Sequence, residues 1–87
     1  MSPPFSRVEL FALSTCIWCR RTREWLDERG IPYRAYYMDL LDGNDREVIL
    51  DRLAEFVSRE SYPTVVIDEG RAVIQGFHPD QMEEAFG

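Results

Sequence analysis

The sequence predicts an α/β domain in which a four-stranded mixed sheet is flanked by three helices, in the order β-α-β-α-β-β-α. Short strand-like segments alternate with helical patterns along most of the chain, and such strand–helix–strand units favour parallel pairing. Two short strands joined by a tight turn follow near the carboxyl end, which adds an antiparallel edge. The chain has 87 residues, enough for one domain, and we assign residues 1–87 to it.

A strand and a helix open the predicted fold, after a short lead-in over residues 1–6. Alternation over residues 7–13 predicts a strand, with an apolar face formed by Val8, Leu10 and Ala12. Helical periodicity over residues 17–29 predicts the first helix, with one face formed by Trp18, Thr22, Trp25 and Leu26. Ser14 and Thr15 directly precede this helix and are residues that favour helix N-termini.

The middle of the chain predicts a second strand and a second helix. Gly30 is placed to end the first helix in a left-handed conformation, and Pro32 prevents the helix from resuming. Residues 33–38 then predict a strand. Residues 45–58 predict a helix, and its apolar stripe is formed by Val48, Ile49, Leu53, Phe56 and Val57.

The last part of the chain predicts a hairpin and a closing helix. Residues 64–68 are rich in β-branched side chains and predict a buried strand, and residues 71–75 predict the returning strand after a tight turn. Pro79 suits the first position of a helix. Met82 and Phe86 are then expected to pack inward.

Composition and charge limit the classes of partner. The net charge is −6, and an acidic surface argues against a nucleic acid as partner. Met1 is followed by no long apolar run, so we expect no signal peptide, and no segment approaches the ~20 apolar residues that span a bilayer. We therefore expect a cytoplasmic protein, in which two cysteines are more often catalytic or metal-binding than a structural disulfide.

The main chemical feature is a pair of cysteines, Cys16 and Cys19, at the predicted start of the first helix. Disulfide exchange needs a thiolate, and the unpaired N–H groups and partial positive charge of a helix N-terminus favour that form. Two intervening residues leave the second sulfur within reach on the same turn. We therefore predict that Cys16 attacks and that Cys19 resolves the mixed disulfide. Positive charge that would stabilise the thiolate is supplied nearby by Arg20 and Arg21, and also by Arg23.

Two other interpretations of the cysteine pair stay open. A lone C-x-x-C motif can be half of a zinc site, but structural zinc normally has four ligands. This chain offers only two cysteines and one histidine, His78, so such a site would need a second chain. We predict no metal site. Alternatively, the two cysteines are buried and inert.

Two further segments are candidates for substrate binding. If Pro63 is cis, the backbone of Tyr62 turns outward, where its N–H and C=O could pair with an extended substrate; an ordinary proline at the start of a strand is the plainer alternative. Residues 76–80 form either a simple strand-to-helix turn or a site that binds a ligand's carboxylate at a helix N-terminus.

The two tryptophans are expected in different surroundings. Trp18, between the cysteines, is expected to be partly exposed and to add an apolar contact surface, whereas Trp25 is expected in the core.

Taken together, these motifs resemble the glutaredoxin family over nearly the whole chain. Three motifs stand in the order that the family has. They are the dithiol Cys16-Ile-Trp-Cys19, the cis-proline segment Tyr62-Pro63-Thr64 and the turn Gly76-Phe77 before the last helix. The sequence Gly-Phe-His-Pro-Asp looks closer to the NrdH-type redoxins, which serve ribonucleotide reductase. The resemblance implies a thioredoxin fold, a cis bond before Pro63, and nucleophile and resolving roles for the two cysteines.

The resemblance also implies where glutathione would be held. In glutaredoxins it contacts the backbone before the cis-proline and the start of the last helix, and the corresponding residues here, together with the tryptophan of the motif, are Trp18, Tyr62, Pro63, Gly76, Phe77, His78 and Asp80. The sequence departs from the family at two positions. Leu13 stands where many glutaredoxins have a basic residue, and Phe77 replaces the second glycine of the turn.

These features predict a monomeric dithiol oxidoreductase that reduces protein disulfides. It would be re-reduced by glutathione or by a thioredoxin-reductase-type flavoenzyme. No cofactor is expected beyond the redox-active pair Cys16–Cys19, because the two sulfurs carry both electrons. One alternative is a dimer that holds an iron–sulfur cluster through Cys16 of each chain and external thiols. Another is a docking module in which the cysteines are incidental.

Overall fold

The strands and helices follow one another in the predicted order. The computed structural model describes residues 7–86, so the expected lead-in over residues 1–6 lies outside the described part. The strands are β1 (Val8–Ala12), β2 (Arg34–Tyr37), β3 (Thr64–Ile67) and β4 (Ala72–Gln75). The helices are α1 (Ile17–Glu28), α2 (Gly43–Ala54) and α3 (Pro79–Phe86), and a short 3₁₀ turn spans Asp68–Gly70. This arrangement confirms the thioredoxin fold.

The sheet has the strand order β2-β1-β3-β4. β1 and β2 are parallel, as expected for a strand–helix–strand unit. β3 runs antiparallel to β1, and β4 antiparallel to β3, so parallel pairing is limited to the first unit. The reason is that β2 ends and β3 begins at the same end of the sheet, so α2 and residues 55–63 must lead the chain back to that end.

Both faces of the sheet are covered, and therefore β1 is buried along its whole length. On one face, Val8, Leu10 and Ala12 pack with buried residues of α1 and α3, as predicted. On the other face, Phe11 packs with Met38, Leu53 and Val66. A second buried face is the normal condition of a central strand in an α/β sheet.

Helix boundaries differ from the prediction in two places. The N-cap of α1 is Cys16 itself, not Ser14 or Thr15. α2 begins and ends earlier than the predicted 45–58, and Val48, predicted in its apolar stripe, is 54% exposed. The prediction for the end of α1 is confirmed, since Gly30 has a φ of 65°. No helix among the described residues is long and apolar enough to cross a membrane.

The second face of β1 contains a buried ion pair. The carboxylate of Glu9 is fully buried, and Arg52 of α2 donates to it from Nη2 at 2.8 Å and from Nε at 3.2 Å. The hydroxyl of Tyr36 donates a third hydrogen bond at 3.2 Å. Burial by itself would raise the pKa of Glu9, but Arg52, helped by Arg7 and Tyr36, outweighs it and holds that pKa below the usual 4.5. This pair joins α2 to the central strand.

Candidate active site

The predicted site residues meet at one end of the sheet because of the strand directions. β1 and β2 end there, β3 begins there, and β4 also ends there, since Thr64 pairs with Gln75. The loop before α1, the segment before β3 and the turn before α3 therefore lie at the same edge. The fold thus brings together three motifs that are far apart in the sequence.

The two cysteines lie on the first turn of α1 and differ in exposure. Both are free thiols; Cys16 is partly exposed and Cys19 is fully buried. The Sγ of Cys16 accepts a hydrogen bond from the backbone N–H of Cys19 at 3.2 Å, which caps the helix. The Sγ of Cys19 accepts a hydrogen bond from the backbone N–H of Leu13 at 3.5 Å. Of the two sulfurs, only that of Cys16 is accessible to a substrate.

Burial sets the protonation of the second cysteine. It raises the pKa of Cys19 from 9.0 to about 12, and the neighbouring Cys16 adds to this rise. The hydrogen bond from Leu13 and the charge of Arg23 act in the opposite direction. Cys19 is therefore a neutral thiol at neutral pH, which suits a group that acts second.

The three arginines of α1 differ in their exposure and in the groups that they contact. Arg20 and Arg21 are exposed, and Arg20 pairs with Glu24 at 3.5 Å. Their role in stabilising the thiolate stays a prediction. Arg23 lies one turn after Cys19, partly buried, with its guanidinium 5.7 Å from the ring centroid of Tyr37. It is the arginine whose charge acts on Cys19, and its spacing of four residues from that cysteine is the sequence signal for it.

The cis bond expected before Pro63 is present. Pro63 is buried, and its carbonyl accepts a hydrogen bond from the N–H of Gly76 at 2.7 Å. This bond links the segment before β3 to the turn after β4. Within residues 7–86, the N–H and C=O of Tyr62 make no hydrogen bond, so both are free to pair with a ligand. The hydroxyl of Tyr62 donates to Glu60 at 2.6 Å; burial and this bond raise the pKa of Tyr62.

The turn over residues 76–80 contacts the cysteine motif. The ring of Phe77 stacks on Trp18, with centroids 6.2 Å apart and an angle of 19° between the planes. Trp18 is 57% exposed, as expected for a contact surface, although the helical pattern also placed it on the buried face of α1. Gly76 has a φ of 91°, a conformation that favours glycine. His78 and Asp80 are exposed at the start of α3. Their proposed binding roles stay predictions.

Two features of the site had no clear signal in the sequence. One is the backbone of Leu13, which contacts both cysteines. Its C=O accepts a hydrogen bond from the N–H of Cys16 at 3.3 Å, and its N–H donates to the Sγ of Cys19. The other is Asp39, which binds Ser14 beside it. Within the described residues, no group of three or more histidine, cysteine or acidic side chains is arranged to hold a metal ion.

The difference between the cysteines predicts selective alkylation. With limiting iodoacetamide at neutral pH, we expect reduced protein to be modified at Cys16, with Cys19 left intact. The raised pKa alone lowers the thiolate fraction of Cys19 by ~10³ relative to an ordinary cysteine, and burial blocks the reagent as well. Peptide mass spectrometry locates the label, and unfolding in urea should make both cysteines reactive. Equal labelling in the folded protein would contradict the assignment of roles.

The fold and this cysteine pair define a thiol oxidoreductase. The chain matches the glutaredoxin family over residues 8–72 and therefore belongs to that family. A comparison with curated protein sequences gave no significant match.

Solved structures of glutaredoxins share the fold closely. The glutaredoxin of Methanosarcina mazei is 30% identical, with a TM-score of 0.85 over 94% of this chain and 79% of that one. The methanoredoxin of Methanosarcina acetivorans is 28% identical, with a TM-score of 0.87 over 94% of this chain and 85% of that one. The NrdH-redoxin of Escherichia coli, at 19% identity and a TM-score of 0.68 over 91% and 93%, is similar in fold alone.

Proposed function

We propose that this chain reduces protein disulfides by a dithiol mechanism. The Cys16 thiolate attacks one sulfur of the substrate disulfide, forms a mixed disulfide and releases the other substrate sulfur as a thiolate. Cys19 then attacks the Sγ of Cys16 and gives its proton to the departing sulfur. Two electrons pass to the substrate, and the disulfide Cys16–Cys19 remains. The observation that carries this proposal is the pairing of an accessible sulfur with a buried, protonated one on the same helical turn.

The surroundings of Cys16 suit a polypeptide substrate. Ile17 and Trp18 are both more than half exposed beside it and offer an apolar contact surface. The free N–H and C=O of Tyr62 can pair with an extended strand, which is how β-augmentation adds a peptide to a sheet edge. We propose that the protein acts as a monomer in the cytoplasm on such substrates.

The departures at Leu13 and Phe77 lead us to expect a thioredoxin-reductase-type flavoenzyme as the better electron donor. Glutathione has two carboxylates, and a basic side chain at position 13 would attract one of them, whereas Leu13 packs in the apolar cluster around Phe11. Phe77 stacks on Trp18 and occupies the turn where a glycine would leave room.

The test follows NADPH consumption during reduction of a protein disulfide in two coupled assays. One contains glutathione and glutathione reductase, and the other contains thioredoxin reductase. We expect faster turnover with thioredoxin reductase, and a gain in the glutathione assay for Phe77→Gly. Turnover with glutathione alone would contradict the expected electron donor. It would still support the proposed disulfide reductase activity.

Turnover in neither assay would overturn the proposed function itself. The iron–sulfur hypothesis would then be examined by anaerobic purification, because a bound cluster colours the protein brown and gives visible charge-transfer bands. No contact among the described residues favours that hypothesis, and it needs a second subunit.

A further inference from the structure

The carboxylate of Asp39 is bound to the loop that precedes the nucleophile. Asp39 follows β2, and its Oδ1 accepts a hydrogen bond from the backbone N–H of Ser14 at 2.8 Å. Its Oδ2 accepts a second hydrogen bond from the hydroxyl of Ser14. Asp39 is a carboxylate at neutral pH in any case, and these two bonds lower its pKa below the ordinary value. The disulfide exchange described above uses neither residue.

The peptide unit between Leu13 and Ser14 links this contact to the backbone of Cys16. Its N–H belongs to Ser14 and is held by Asp39, while its C=O belongs to Leu13 and accepts the N–H of Cys16 at 3.3 Å. A peptide unit is planar and rigid, so fixing its N–H also fixes the direction of its C=O. The N–H of Leu13 in turn donates to the Sγ of Cys19. One anchored loop therefore contacts both cysteines.

We propose that Asp39 is a positioning residue for the dithiol, which acts by holding Ser14 and, through the adjoining peptide unit, the groups that contact Cys16 and Cys19. This inference rests on the proposed dithiol function. It concerns the balance between the reduced and the oxidised pair and involves no contact of Asp39 with substrate.

The expected effect is on the reduction potential. N–H donors on sulfur stabilise thiols and thiolates more than a disulfide, because a charged or polar sulfur is the better acceptor. A couple whose reduced form is stabilised is more oxidising. Releasing the loop weakens the hydrogen bond from the N–H of Leu13 to the Sγ of Cys19, so the reduced form loses stability relative to the disulfide and the potential becomes more negative.

The experiment equilibrates the full chain in glutathione redox buffers, traps free thiols by acid and alkylation, and quantifies the Cys16–Cys19 disulfide by mass spectrometry. For Asp39→Ala we expect the equilibrium to move about tenfold toward the disulfide, which corresponds to ~30 mV. Asp39→Asn should stay close to wild type, because its amide can accept from the N–H of Ser14 and donate to the hydroxyl. Asp42→Ala is the matched control, since Asp42 is an exposed aspartate with no side-chain capping bond.

Each outcome decides the inference. A loss of stability shared equally by both redox forms leaves the potential unchanged, so a purely structural role predicts no shift and would overturn it. An equal shift in Asp39→Asn and Asp39→Ala would show that charge, not hydrogen bonding, is responsible, which also overturns it. If wild-type protein forms no Cys16–Cys19 disulfide in any buffer, the proposed function fails and the inference with it. If the wild-type protein forms the disulfide and Asp39→Ala leaves its reduction potential unchanged, only the inference about Asp39 is overturned, and the proposed function stands.

Discussion

Replacing Cys16 by serine is expected to abolish disulfide reduction, with a loss of ~10³-fold or more in the coupled assay. The hydroxyl of serine is not ionised at neutral pH and cannot form the mixed disulfide. The fold should persist, because Cys16 occupies the N-cap of α1 and serine is among the preferred N-cap residues. The hydroxyl can accept the N–H of Cys19 in place of the sulfur. NADPH consumption measures the loss, and circular dichroism checks the fold.

Cys19→Ser is the matched control. This variant keeps the nucleophile but lacks the group that resolves the intermediate, so we expect the mixed disulfide with a protein substrate to accumulate. Non-reducing gels should show the covalent complex with Cys19→Ser and not with Cys16→Ser. The opposite pattern would mean that Cys19 attacks first, and wild-type turnover by Cys16→Ser would refute the dithiol mechanism.

The largest expected effect on stability comes from Arg52→Met. This change leaves the fully buried carboxylate of Glu9 without its main partner, and breaking a buried pair from one side costs about 3–5 kcal/mol. For a small domain this is a large part of the total free energy of unfolding. Urea denaturation at neutral pH measures it. In the double variant with Glu9→Met, much of the loss should be recovered, because no unpaired charge remains.

The pH dependence gives an independent check on this pair. The pKa of Glu9 is depressed in the folded chain, so its contribution to stability is present above about 4.5 and disappears as the pH falls through the folded value. The difference between wild type and Arg52→Met should therefore shrink at acid pH. The exposed pair Arg20–Glu24 serves as control, since Arg20→Met should cost only ~0.5 kcal/mol. A similar cost for both variants would contradict the role of burial.

Local sequence patterns determined the order of the strands and helices and the residues that carry the redox chemistry. Gly30 and Pro79 marked a helix end and a helix start because each favours a backbone geometry that depends on a few neighbours. The spacing of Cys16 and Cys19 at a strand-to-helix boundary was sufficient to indicate a redox pair. The three motifs in family order then gave the thioredoxin fold and the cis bond at Pro63.

Only the tertiary structure decided which residues surround the sulfurs and which are buried. Glu9 is an acidic residue in an alternating strand, and nothing in its neighbours shows that Arg52 meets it inside the fold. Asp39 reaches Ser14 because β1 and β2 are parallel and end together. Sequence patterns record the preferences of neighbouring residues, whereas burial and charge pairing depend on segments that meet only when the sheet forms.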